Sequence, residues 1–250
     1  MGSSPILLPP DTPDTTSQGD VSAIAFVLSA LAVALAILAQ FFNASLDANL
    51  FLAIEILAAA LPWVVVWMQA RWPLQINVGC ERKDPRSSMV FVLLGSGFCL
   101  FATQFQNLQN DYDYSPLLGY GCAIAVVLAC ALFLASPRDL RSVGRFFQLL
   151  ILVAFYGFAL ARQANILLDR SPARQYSAHV TDKATHAGRR GGTTYSLFLD
   201  AWGPAGTAER APVGRDLYDS VAVGDTVCIT ARDGALYVPW YTIHQCEPVE

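Results

Sequence analysis

The chain is 250 residues long, and 54% of these are hydrophobic while only 14% are charged. The apolar residues are gathered into long runs rather than spread as a soluble core would need, so the composition points to a membrane protein. A formal net charge of −4 leaves no basic field for a nucleic acid to follow, and none is expected as a partner.

Residues 1–20, MGSSPILLPPDTPDTTSQGD, hold four prolines and three aspartates but no Lys or Arg. A cleavable signal would begin with basic residues and carry a shorter apolar run. The segment reads instead as a disordered cytoplasmic tail. A spanning helix needs roughly 20 apolar residues to cross ~30 Å of hydrocarbon. Val21–Phe42 meets this without a charge, and Leu50–Ala70 meets it with one, Glu55. Met89–Phe105 is shorter and uncharged. Leu117–Ala135 follows Ser115-Pro116, a cap and first-turn pair. The fifth run, Phe146–Leu168, carries Arg162 near its far end. It is the last of the series, and the chain changes character after it.

Basic residues next to spans tend to remain cytoplasmic. Residues 71–88 contain Arg71, Arg82, Lys83 and Arg86, and residues 136–145 contain Arg138, Arg141 and Arg145. The other two connections, 43–49 and 106–115, contain Asp47, Asp111 and Asp113 and no basic residue. Five alternating crossings therefore place all seven positive charges on one face. This predicts a cytoplasmic N-terminus and an external segment after Leu168, with Trp67 and Trp72 at the cytoplasmic interface. Ala30/Ala34, Ala32/Ala36, Gly119/Ala123 and Gly121/Ala125 are spaced for close helix approach, within the bundle or between copies of the chain. Gly95-Ser96-Gly97 reads the same way. Pro62-Trp63 is expected to kink the second span.

From Asp169 the apolar period becomes two. QYSAHVT (175–181) sets Tyr176, Ala178 and Val180 on one face, and TYSLFLDAW (194–202) alternates Tyr195, Leu197 and Leu199 with Ser196, Phe198 and Asp200. VGDTVCITA (223–231) and ALYVPWYTIHQC (235–246) flank Arg232-Asp233-Gly234, a hairpin signal. About five strands in a barrel-like module are expected over residues 169–250.

Glu55 is the sharpest single residue, because an ionisable group inside a span marks a pathway, a relay or a paired site. It lies about five residues inside the outer start of its span, and Arg162 lies at a similar depth in the fifth. A Glu55–Arg162 ion pair joining the two spans is the first reading. The alternatives are a proton or cation site at Glu55, or Arg162 snorkelling outward with Glu55 on an interhelical water. Cys228 and Cys246 are the only cysteines of the external module, so an oxidising compartment makes them a disulfide. A two-residue turn at Asp233-Gly234 would set Cys228 opposite Pro239, so bridging requires the strand to break at Pro239. His179, His186 and His244 match no metal-ligand spacing. Hydrolase, zinc-protease, phosphate-loop and dinucleotide motifs are absent, so no catalytic residue, cofactor or metal is expected.

The run DLYDSVAVGDTVCIT (216–230) followed by DGALYVPWYTIHQC (233–246) resembles the tail of uncharacterised bacterial multi-spanning inner-membrane proteins. Those share a GDxVC element, a Gly-Ala-Leu turn, a Trp-Tyr pair and a closing Cys. The resemblance covers about a third of the chain and implies a bacterial inner membrane and an external, periplasmic module. It lends no activity and no catalytic residues. Tyr237 and Val238 stand where the pattern would have another Gly, so the hairpin is expected to differ there.

The combined expectation is a membrane α-helical bundle of five transmembrane helices (21–168) bearing a small all-β C-terminal domain (169–250). Its partners would be the lipid bilayer and either a membrane or periplasmic protein or a second copy of the chain. The leading function is a non-enzymatic accessory or scaffolding subunit that touches its partner through Trp202, Trp240 and Tyr241, the other reading of these aromatics being core filling of a small β domain. The other function is a small transporter or ion-coupled protein using Glu55.

Overall fold

The computed structural model describes residues 15–42, 48–71, 90–106, 110–111, 113, 115–135, 143–187, 193–203 and 205–246. Most of the basic residues that argue the orientation (Arg82, Lys83, Arg86, Arg138, Arg141), together with Cys80 and Trp72, lie outside them.

Five helices occupy the five apolar runs: α1 (Thr15–Phe42), α2 (Ala48–Arg71), α3 (Val90–Gln106), α4 (Ser115–Ala135) and α5 (Val143–Leu167). Three contain stretches long and apolar enough to cross a membrane, Asn49–Arg71, Ser115–Ala135 and Phe146–Leu167. The apolar parts of α1 and α3, Phe26–Ala39 and Val90–Phe101, are shorter. α1 begins at Thr15, inside the segment expected to be disordered.

Small side chains set the packing. A Cβ on Gly95 of α3 would lie 2.8 Å from the backbone of Ala32 in α1. One on Gly121 of α4 would lie 2.8 Å from the Cα of Phe158 in α5, and one on Gly157 of α5 would lie 2.4 Å from the carbonyl oxygen of Gly121. These glycines let backbones touch, which is where apolar helices gain dispersion energy in the absence of a hydrophobic drive. Of the paired small residues, Ala32 and the Gly121/Ala125 pair are packed internally, while Ala30, Ala34 and Ala123 face outward. Pro62 sits inside α2 and cannot donate to the carbonyl of Ala58. One residue on, the hydroxyl of the fully buried Tyr156 in α5 donates to the carbonyl of Ala59. α5 is the central helix: 61% of its apolar window is buried, against 33% for α2 and 28% for α4.

The C-terminal segment folds into β2 (Arg174–Ala187), β3 (Thr193–Leu199), β4 (Glu209–Val213), the short α6 (Arg215–Ser220), β5 (Thr226–Arg232) and β6 (Trp240–Gln245). A two-residue strand from the α3–α4 connection, β1 (Asn110–Asp111), completes an antiparallel sheet of order β1-β6-β5-β2-β3-β4. β2 serves both halves. Its first part pairs with β5 and its second with β3, and the register shifts between Val180 and Asp182 where the strand changes partner. Such a bulge adds local bend and twist. The two ends of the sheet then meet: the Tyr241 hydroxyl donates to Glu209 Oε1 (2.6 Å) and Asn110 Nδ2 donates to the Pro212 carbonyl (3.4 Å). The result is a nearly closed barrel. Its interior holds the alternating residues expected from the sequence, Ala178, Val180, Leu197 and Leu199, with Val227 and Ile229.

The β5–β6 connection departs from expectation. Arg232 pairs with Trp240, so the loop is 233–239 and not a two-residue turn at Asp233-Gly234. Gly234 is used differently. It adopts φ +75°, and a Cβ there would lie 2.5 Å from Asn165 Oδ1 of α5. The loop is splayed because it closes on a helix end.

Candidate functional site

Among the described residues, most of the buried polar side chains (Glu55, Asn110, Asp111, Arg162, Gln163 and Asn165) lie toward the end of the bundle that meets the barrel. α5 ends at Leu167, and its last carbonyls have no intrahelical partner. Leu168 N–H and Asp169 N–H return to the carbonyls of Ala164 (3.1 Å) and Ile166 (3.3 Å), and Ala235 N–H of the 233–239 loop donates to that of Asn165 (2.9 Å). The fully buried side chain of Asn165 uses both ends of its amide, donating to the Val238 carbonyl (2.8 Å) and accepting from Leu236 N–H (2.9 Å). Asp169, two residues beyond the end of α5, holds the same loop. Its carboxylate accepts from Ser171 N–H (2.7 Å), from the Trp240 indole N–H (2.8 Å) and from Gly234 N–H (3.2 Å). Burial pushes this carboxyl up, but the donors from Ser171, Trp240 and Gly234 outweigh it and hold it below the usual carboxylate range. Ser171 adds bonds to Asp233 N–H (3.0 Å) and Arg232 Nη1 (3.2 Å), and Arg174 pairs with Asp233 at 2.9 Å on the surface.

A second set lies deeper. Arg162 of α5 donates through Nε to the carboxylate of Asp111 on β1, and both side chains are nearly removed from solvent. Burial drives the Asp111 carboxyl up, against the pull of the Arg162 charge and hydrogen bond. On the adjacent position of α5, Gln163 Nε2 donates to Glu55 Oε1 of α2, and Glu55 is 1% exposed. Glu55 and Arg162 thus lie at one level of the bundle, where the contacts of Glu55 include Gln163 and those of Arg162 include Asp111. Sequence reasoning treated Asp111 only as an acidic loop residue. Its place a few residues before α4, on the predicted side of the Arg162 end, was the available signal.

Cys228 and Cys246 form the expected disulfide, with Cα atoms 4.9 Å apart. Cys228 faces His244 across the hairpin, so Cys246 is its diagonal neighbour just beyond β6. The bridge is reached through the wide 233–239 loop, with Pro239 inside that loop as the sequence argument required.

Of the three aromatics, Trp202 and Tyr241 follow the core-filling reading and not the partner-contact one. Trp202 and Tyr241 are 3% and 1% exposed, and their rings pack at 5.0 Å in the barrel core. Trp240 is half-buried and held by Asp169. Closure of the barrel is the reason: β6 is paired on both sides, so Tyr241 has an interior to fill. His179 meets Thr226 Oγ1 at 3.1 Å through Nδ1. Among the described residues, no cluster of His, Cys, Asp and Glu could hold a metal ion.

The arrangement caps a helix end, gives a buried guanidinium a carboxyl partner and fixes a strand from one loop of the bundle into the barrel wall. Compared with family models, curated proteins and solved structures, the chain matches none of them.

Proposed function

We propose that this chain is an integral inner-membrane protein with five spans, a cytoplasmic N-terminus and a periplasmic β module. On this reading it works as a non-enzymatic accessory or scaffolding subunit. The carrying observation is the joint. The barrel is bonded to α5 through Asn165 and Asp169, and its wall includes β1 from the α3–α4 connection. A module held at fixed height and angle is suited to presenting a surface to a partner, whereas a tethered binding domain would need only a linker. The distribution of basic loop residues, the disulfide and the resemblance of the 216–246 tail to bacterial inner-membrane proteins support the orientation and the compartment. Glu55 and Arg162 serve this reading as structural residues of the joint. Purification of the full chain from native membranes in mild detergent, followed by identification of co-purifying proteins, tests it. A stoichiometric membrane or periplasmic companion, or a defined homo-oligomer, is expected, and a lone monomer counts against the subunit role.

One observation favours a second reading. Glu55 is a carboxylate buried within an apolar helix, which is the setting of proton- and ion-coupled sites. The two readings separate on Glu55→Gln. A scaffold keeps its partner association in that variant and loses it when the 169–250 module is removed, whereas an ion-coupled protein is inactivated by the single substitution.

A further inference from the structure

The 233–239 loop carries a large aromatic side chain that the described residues leave exposed. Tyr237 is 87% exposed, and at φ +58° it is the one described non-glycine residue with positive φ. Glycine or asparagine would adopt that backbone at lower cost. Its ring belongs to neither core cluster of the described residues, which leaves an apolar face with a polar tip open to a contact from outside.

The position of the loop says what that is. Leu236 and Val238, the neighbours of Tyr237, are both hydrogen-bonded to the Asn165 side chain, two residues before the end of α5. At 1.5 Å rise per residue, Tyr237 is therefore level with the last turn of that helix. The apolar window of α5 is the 22 residues Phe146–Leu167, roughly 33 Å, so its end coincides with the edge of a hydrocarbon core of about 30 Å. Leu167 and Leu168 are 43% and 67% exposed at the same level. Trp240, with its indole N–H on Asp169, adds a second aromatic there. Tyr and Trp gather at this depth because an apolar ring with a polar tip suits the boundary between acyl chains and headgroups.

We propose that the tip of the 233–239 loop rests in the interfacial layer of the bilayer, with Tyr237 as its lipid anchor. The β module is then held on two sides, by α5 through hydrogen bonds and by the lipid surface through this side chain. The inference rests on the membrane reading above, and its test separates the two.

The experiment uses the full chain in phosphatidylcholine–phosphatidylglycerol vesicles, with Cys80, Cys99, Cys122 and Cys130 replaced by Ala and the disulfide intact. A nitroxide is attached at Tyr237→Cys, at Val126→Cys on the outward face of α4 and at Val223→Cys. Val223 lies beside Gly224, which bonds to Val180, six residues along β2 from its start and roughly 20 Å away along the strand. Collision with oxygen relative to a water-soluble nickel chelate reports depth. The label at 237 is expected to fall between the other two, several-fold less accessible to nickel than the label at 223. If 126 reads as lipid-exposed while 237 matches 223, the anchor is wrong and the membrane reading stands. If 126 itself reads as aqueous, both fall. Tyr237→Trp keeps an aromatic and gives an independent readout. Its added fluorescence should be quenched more by lipids brominated near the carbonyls than by lipids brominated at the chain ends, and the absence of any quenching difference from wild type overturns the proposal.

Discussion

At Gly157 the chain has no room for a methyl group: a Cβ there would meet the Gly121 carbonyl oxygen at 2.4 Å and the backbone nitrogen of Ala125 at 3.1 Å. Both obstacles are backbone, which cannot rotate aside, so α4 and α5 would have to separate. Gly157→Ala is expected to destabilise the bundle by about 1–3 kcal/mol despite the better helix propensity of alanine, read as a lower midpoint of thermal unfolding in detergent. Gly119→Ala, where nothing lies within 4 Å, should leave the midpoint unchanged or raise it. Asp169 shows a residue-scale effect of the opposite chemistry. Its folded pKa is held below its unfolded value, so its contribution is present above the ordinary aspartate value of about 3.9 and is lost as the pH falls through the lower folded value. Asp169→Asn should weaken the joint by about 1–3 kcal/mol at neutral pH, since the hydrogen bonds to a charged acceptor are the stronger kind. It should also flatten the acid limb of a stability–pH profile. An unchanged acid limb would show that another group carries it.

β1 is two residues long, yet it ties three things together. It extends the sheet beside β6, bonds across the barrel seam through Asn110, and brings Asp111 to Arg162. Removing one member of a buried ion pair leaves the other uncompensated. Arg162→Met is accordingly expected to cost about 3–5 kcal/mol, with Asp111→Asn in the same chain recovering much of the loss. A double-mutant cycle on unfolding free energy measures this, and additive costs would show that the two side chains do not act as a pair. The disulfide acts on the neighbouring element by tying the end of β6 to β5. Cys228 and Cys246 are 18 residues apart, and closing a loop of that order stabilises by about 3 kcal/mol. Cys228→Ser or full reduction should lower the stability of the module by that amount. In the native protein both thiols should resist alkylation until a reductant is added.

For the whole molecule, the proposed orientation follows from an odd number of crossings with positive charge on the cytosolic rim. Protease added to intact spheroplasts should cleave within 169–250 and leave the bundle in the membrane. Protection of that segment until lysis would remove the compartment and the periplasmic partner argument together. Much of the architecture was legible without coordinates. Five apolar runs became five helices, the change of period after Leu168 became strands with the expected inward faces, and two isolated cysteines became a bridge. Period and composition are properties of neighbouring residues, so the linear chain carries them directly.

The meeting of Arg162 with Asp111, the use of Gly234 and the burial of Trp202 and Tyr241 were decided only in three dimensions. Arg162 and Asp111 are separated by 51 positions, and Asn165 and Leu236 by 71. Contacts at such distances have no period to betray them. Closure of the barrel decided that Trp202 and Tyr241 fill its core, and a helix end in need of hydrogen bonds turned a short hairpin into a wide loop. Local chemistry thus determined which elements form and which segments are apolar, while the tertiary fold determined what each polar side chain meets, because burial leaves such groups stable only where a partner has been brought to them.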